Sequence, residues 1–559
     1  MEPAMYNKIN EVRFKIFRSA LLIFVISICF ASCSKEETPD VQKGYLTPET
    51  LCGTVTFKDG CSPKLDTLIA FGFALLHHMT YDDAEYTFSR VIESDPDCFW
   101  GHWGKAMSYI HPLWPDAPSE KELKDGLLLS LNALSLAETE KEKLYGKAVA
   151  SFFEGELSKS KAERLIAFKE NWQTAKTEMP DDIEVRLFSV LSMLATVSPN
   201  DKTYKVQREA GAIAEDVLKT IPDHPGGFHY AIHAYDFPRL APEAIRVAKN
   251  YYKIAPEIPH ALHMPTHIFT RLGYWEESIS LNLRSANAAL KLPVNGNVSG
   301  HYFHALDYLV YAYLQESEYD RADEIKKTLD TLSGTFQVAP QTAYCLAAIP
   351  GRLALEFQNW KEAANLSLNT HKDFPWEKFP QYEALIYFAK GIGAGRTGNF
   401  EIAQQSFQRL EQLQKSFTDT VTYKYWINQI EIQKRVVKAW LLYAQNEKEK
   451  SIDVMISAAE LEDATEKNPV TPGQLLPVRE MLGDMLLELN RPEDALHQYE
   501  LSLKNSPNRF NTLFGAGKSA ELIGDKKKAE YYFSTIAKIS KNPDSNRERL
   551  NYAMKMIKS

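Results

Sequence analysis

Near the C-terminus the same small and bulky residues recur 34 positions apart. Leu482-Gly483, Leu486, Ala495, Tyr499 and Pro507 set out one copy, and Ala516-Gly517, Ala520, Ala529 and Phe533 set out the next. Toward the other end Leu68, Phe71-Gly72, Leu75, Ala84, Phe88 and Pro96 fall in the same frame. A unit of this length is one supersecondary element that cannot bury its apolar face alone, so copies must stack and share a continuous core. Pro and Gly are expected to be confined to hairpin turns, such as those at Pro238, Pro256, Pro293 and Pro507. The chain is therefore expected to be all-α. One short strand is predicted between Cys52 and Cys61, with Asp59-Gly60 as its turn.

The pattern resembles the tetratricopeptide repeat, in which a small residue at position 8 of the first helix faces a small residue at position 20 of the second. Further copies set Ala244 with Pro256, Ser278 after Leu272-Gly273, Ala322, Ala363 with Gly351, and Ala403 with Gly391 at those positions. The spacing is irregular around 115–220 and 415–470. The resemblance implies a TPR-type helical-hairpin superhelix, or α-solenoid, whose concave face, lined by first helices, takes ligands. It divides the body into a His-rich region at 63–335, middle repeats at 336–470 and a C-terminal repeat pair at 471–559.

The N-terminus reads as processing information. Lys8, Arg13, Lys15 and Arg18 precede an apolar run, Ala20 to Phe30, too short to span a bilayer, which ends in Ala31-Ser32-Cys33. This resembles a bacterial lipoprotein signal over residues 1–32. It implies acylation of Cys33, a lipid bilayer as partner, and a polar tether over 33–48. Lys35-Glu36-Glu37 resembles the surface-export signal of lipoproteins in glycan-degrading Gram-negative bacteria. That implies an outer-membrane protein, accessory to polysaccharide capture, degradation or uptake. A net charge of −9 argues against nucleic acid as the main partner. Cys52 and Cys61 are expected to close a local disulfide loop over 49–62, with Cys98 and Cys345 as small buried residues.

Twelve of the fourteen histidines lie between His77 and His304. His229 and His233 form one His-x-x-x-His pair, and His263 and His267 repeat it 34 residues later. On a helix such a pair points two imidazoles the same way. In the repeat frame His229, His233 and Asp236, then His260, His263 and His267, then His304 and Asp307 fall at groove-lining positions, with His301 just before its helix. His77 and His111 form a secondary groove pair, also 34 residues apart. Copies anchored on Ala363, Ala403, Ala495 and Ala529 carry no histidine at the matching places, so the imidazoles are a local requirement.

Neutral imidazole is the commonest ligand for zinc, copper and iron, and Asp236 or Asp307 is a candidate carboxylate ligand or orienter. The alternative is a groove that holds a protein, peptide or oligosaccharide without metal. The leading reading is a membrane-anchored binding scaffold; the alternatives are a hydrolytic or oxidative metalloenzyme and an assembly factor that takes an extended peptide. There is no His-Glu-x-x-His, Walker loop, nucleophile elbow or Cys-x-x-Cys to sharpen the chemistry.

Overall fold

The structure is a computed structural model that describes residues 45–558, except 59–60, 115, 156, 199–200, 333–334, 369–372, 421, 466–470 and 544–546. The expected signal segment, Cys33 and most of the expected tether lie outside the described residues. The fold is an all-α, TPR-type superhelix in which consecutive helices pair as hairpins from Asp66 to Met556. Two large hydrophobic cores run along it, one over Leu46 to Leu281 and one over Trp275 to Ala553, with a small third cluster around Ala364, Ala394 and Ala403.

The repeat signature has a direct packing cause. A Cβ placed on Gly72 would lie 2.5 Å from the Phe88 ring, one on Gly483 2.7 Å from the Tyr499 ring, and one on Gly517 2.7 Å from the Phe533 ring. The small residue of the first helix is therefore the seat for an aromatic of the second, at the same two frame positions in each copy.

Hairpins continue where the signature fades. Over 120–195 the helices Glu120–Leu136, Glu140–Phe153, Lys161–Glu178 and Ile183–Ala195 follow one another. Ser119 with Glu122, Thr139 with Glu142 and Ser160 with Glu163 form reciprocal capping boxes that fix three of those starts. The 415–470 stretch likewise contains Lys424–Ala444 and Lys448–Ala464.

Three expectations change. No strand forms over the described residues of 52–61; the segment instead lies extended along the body. Thr54 N and Oγ1 donate to the Asp223 carbonyl and carboxylate (3.2 and 2.7 Å), and Phe57 packs edge-on to Trp100. That docking carries Cys61 to the start of the Phe99–Ser108 helix, where it is disulfide-bonded to Cys98. Cys52 is thus a free, half-buried thiol, raised to about 11 by burial, and the Cys52–Cys61 loop is not formed. Prolines are also not confined to turns. Pro350 lies inside Pro340–Glu356, and Pro265, which lacks an N–H, divides Pro259–His263 from Pro265–Leu272 at Met264.

The superhelix also closes on itself. Trp275 Nε1 donates to the Asn508 carbonyl (2.9 Å), and Asn508 Nδ2 donates to the Gly273 carbonyl (3.3 Å). Gly273 ends its helix at φ +67°, and a Cβ there would lie 2.5 Å from the Pro507 carbonyl oxygen. Fully buried Arg509 then reaches Glu356 (2.6 Å), Glu480 (3.0 Å) and Tyr311 (3.0 Å). Packed between its neighbouring helices and this return contact, the Gly300–Gln315 helix is buried at every residue except His301. The inner face is filled there and does not form an open groove.

Candidate metal centre

Three successive first helices carry the histidines: Pro225–Tyr235, the Pro259–His263 and Pro265–Leu272 pair, and Gly300–Gln315. They bring six imidazoles into two adjacent groups, His229 with His233 and His260, and His263 with His267 and His304. Within each group one ring nitrogen per residue lies within 4.8 Å of the others. The groups adjoin, since the rings of His229 and His260 are 5.0 Å apart, and those of His233 and His267 are 6.2 Å apart.

Hydrogen bonds fix which nitrogen faces inward. His263 Nδ1 donates to Asn282 Oδ1 (2.6 Å), whose own amide nitrogen donates to the Ser278 carbonyl (2.9 Å). His267 Nδ1 donates to Asp236 Oδ2 (3.0 Å), and Asp236 Oδ1 accepts from Arg271 Nε (2.9 Å). His229 Nδ1 donates to the His77 carbonyl (2.5 Å). A neutral ring that gives its Nδ1–H outward presents its Nε2 lone pair on the other side, as metal-bound imidazoles do.

The Nε2 atoms of His263 and His267 are 3.0 Å apart, and those of His229 and His233 are 3.1 Å apart. Two lone pairs at that distance repel unless a proton or a cation lies between them. Two nitrogens each about 2.1 Å from one ion stand about 3 to 3.4 Å apart for angles between about 90° and 110°. Burial holds His229 and His260 well below the ordinary imidazole range, aided by neighbouring histidines, and lowers His301 to about 4. These rings are neutral at pH 7.

His260 is buried, and neither of its ring nitrogens has a hydrogen-bond partner among the described residues. A buried polar ring in that state calls for a water or an ion as its partner. It borders a cavity of about 20 Å³ with His233, His267, His301 and His304, room for about one water-sized occupant. Trp114 covers the cavity, its ring edge-on to His260 and His301 at 6.1 and 5.8 Å. Its segment is held by buried Lys161, whose ammonium donates to the carbonyls of His111 (2.7 Å), Trp114 (2.6 Å) and Asp116 (2.6 Å).

The other expected residues fall around this centre. His301 lines the cavity and belongs to neither group of three. Asp307 faces Arg352 (3.4 Å), and burial outweighs that guanidinium to raise its carboxyl to about 6. His111 bonds Asp116 (2.6 Å) and stacks on Tyr81. His77 sits in a separate buried network, with Nε2 on Glu184 (2.5 Å) and Nδ1 on Tyr230 (3.0 Å), while His224 takes the other Glu184 oxygen (3.0 Å). His77 and His111 are thus not partners across one groove. Asn282, on the second helix of its hairpin, and Glu184 and Lys161, in the stretch where the repeat signature fades, carry support that a frame of first-helix positions does not report, while Arg271 lies one turn beyond His267 on the same helix.

No protein-family model and no curated protein matches this chain. Among solved structures, it is similar to human IFIT1 in a dimer with m7Gppp-AAAA, at 13% identity, covering 89% of this chain and 99% of that one, with a TM-score of 0.39. It is similar to yeast Tom70 at 13% identity, 88% and 94% coverage and a TM-score of 0.33. The APC/C hetero-tetramer Cut9–Hcn1 matches at 12% identity, 81% and 96% coverage and a TM-score of 0.30.

Proposed function

We propose that this chain is a metalloenzyme in which the two three-histidine groups hold a pair of transition-metal ions side by side. The observation that supports it is the paired Nε2 atoms at 3.0 and 3.1 Å, with the Nδ1 atoms of His263, His267 and His229 turned outward onto oxygen acceptors. A set of imidazoles without a carboxylate in either group suits copper or zinc better than magnesium, calcium or manganese. Three protein ligands per ion leave a position for water or substrate, as catalytic sites do, whereas structural zinc sites are closed by four. The chemistry a bound pair would supply is activation of water with zinc, or of a small oxidant with copper. Asp236, through His267, and Asn282, through His263, are positioning residues that hold the rings and raise their basicity.

The enclosure of the histidines weighs against a groove that lays a peptide or oligosaccharide directly across them. The lipid anchor at Cys33, the outer-membrane location and a role beside polysaccharide uptake belong to the same proposal and are supported by residues 8–37 alone. Cys33→Ala should release the protein from membranes; retention would refute the anchor.

Elemental analysis of protein purified without a histidine tag and equilibrated with copper or zinc tests the metal reading. About two ions per chain are expected, falling to about one in His229→Ala and in His263→Ala, with helical circular dichroism unchanged. A folded wild-type chain that retains no ion after gel filtration would overturn it.

A further inference from the structure

Behind the candidate centre lies a cleft of about 410 Å³, large enough for a small-molecule ligand. Its walls come from residues 202–204, the turn after the His229 helix, the end of the His267 helix, and residues 462–465, 474–479 and 501–506. Lys202, Arg239, Arg271, Arg479 and Lys504 line it. Two acids oppose them, Glu462 and Asp463. Asp463 is already matched by Arg479, whose Nε and Nη2 both bond its Oδ2 (3.0 and 2.8 Å). Burial raises the Glu462 carboxyl to about 8, so it carries little charge at pH 7. Arg239 and Lys504 have no ion-pair partner among the described residues, and both are exposed. The chain as a whole carries −9, so this positive cleft is a local feature and not a property of the surface at large.

Arg271 is shared between cleft and centre. It lines the cleft, yet its Nε donates to Asp236 Oδ1 (2.9 Å) and its Nη2 to the Asp236 carbonyl (3.3 Å). Asp236 in turn holds His267 (3.0 Å). Clefts lined by one sign of charge with low-dielectric walls concentrate ligands of the other sign. Guanidinium groups in particular match carboxylate and phosphate oxygens two at a time.

We infer that this cleft binds a small polyanion, a molecule bearing two or more carboxylate or phosphate groups, one of them on Arg239 and Lys504 and another toward Arg271. The site stands on the cleft's own residues and does not require the metal reading. Its contact with Arg271, which holds Asp236 and through it His267, makes the ligand an effector of the centre where that reading holds.

Isothermal titration of the metal-free full chain with citrate and, separately, with pyrophosphate tests it. Saturable binding of at least one probe is expected, weakening as salt rises. The tighter probe names carboxylate or phosphate as the chemistry. Arg239→Gln combined with Lys504→Gln should weaken that binding at least tenfold. Lys121→Gln combined with Lys124→Gln, an equal charge change at exposed positions outside the cleft, should leave it unchanged. No saturable binding of either probe, or equal weakening by both pairs of substitutions, would overturn the proposal. Because the titration uses metal-free protein, its failure is distinguishable from failure to hold metal.

Discussion

At the scale of single residues, the outward hydrogen bonds of the histidines matter as much as the rings. Asp236→Asn keeps the volume but replaces a carboxylate that accepts from His267 and Arg271. It should weaken metal binding at that group by about 10- to 100-fold. Competition against a chelator of known affinity measures this, and a change under twofold would remove Asp236 from the account. Glu462 gives a second residue-scale prediction. Its carboxyl is raised by burial to about 8 from an ordinary 4.5, and it accepts from Val478 N–H (2.8 Å), with Asp463, Arg479 and Arg509 as the charges facing it. Between those two pH values the folded state binds the extra proton, so stability should fall as pH rises from about 4.5 to 8 and then level off. Urea midpoints for Glu462→Gln should show a shallower slope over that range; parallel curves would count against the assignment.

The imidazole cluster was legible in the sequence because two His-x-x-x-His pairs one repeat apart must share a face. Its second half was not. Asn282 lies on the second helix of its hairpin, and Glu184 and Lys161 belong to the stretch where the repeat frame is lost, so no periodicity announced them.

At the scale of elements, the repeat frame was readable wherever a glycine and an aromatic keep their places. Gly483 and Tyr499 show why, since a methyl on Gly483 would meet the ring at 2.7 Å. Gly483→Ala should cost about 1–3 kcal/mol by overpacking, partly offset by better helix propensity, and Gly483→Ala with Tyr499→Leu should recover part of it. Chemical denaturation of the single and double variants checks the coupling; additive effects would contradict it. Between 120 and 195 the frame fades, yet the Ser/Thr-x-x-Glu capping boxes were present in the sequence as helix starts. The disulfide was misread for a different reason. Proximity in sequence favoured Cys52 with Cys61, whereas docking of the 54–57 segment brings Cys61 to Cys98.

At the scale of the molecule, a solenoid read from repeats alone is open, and this one is closed by contacts spanning more than two hundred residues, as from Trp275 to Asn508. Sequence periodicity reports neighbours within and between adjacent hairpins, so it is silent on a return contact of that range. Arg509 is the charged centre of the closure. Arg509→Met would strand Glu356 and Glu480, both buried, and should destabilise the fold by about 3–5 kcal/mol. A thermal midpoint within a degree of wild type would show that the closure does not depend on this network. The cavity that the histidines line is covered separately, by Trp114, and this enclosure is why the proposal favours a metal centre over an open binding groove.

Anomalous X-ray scattering at the copper or zinc edge, from crystals of metal-loaded protein, tests that claim most directly. Two peaks are predicted, one bounded by His229, His233 and His260 and the other by His263, His267 and His304. A loaded protein with no peak among these six imidazoles, or with metal only at surface residues such as His497, would contradict the account.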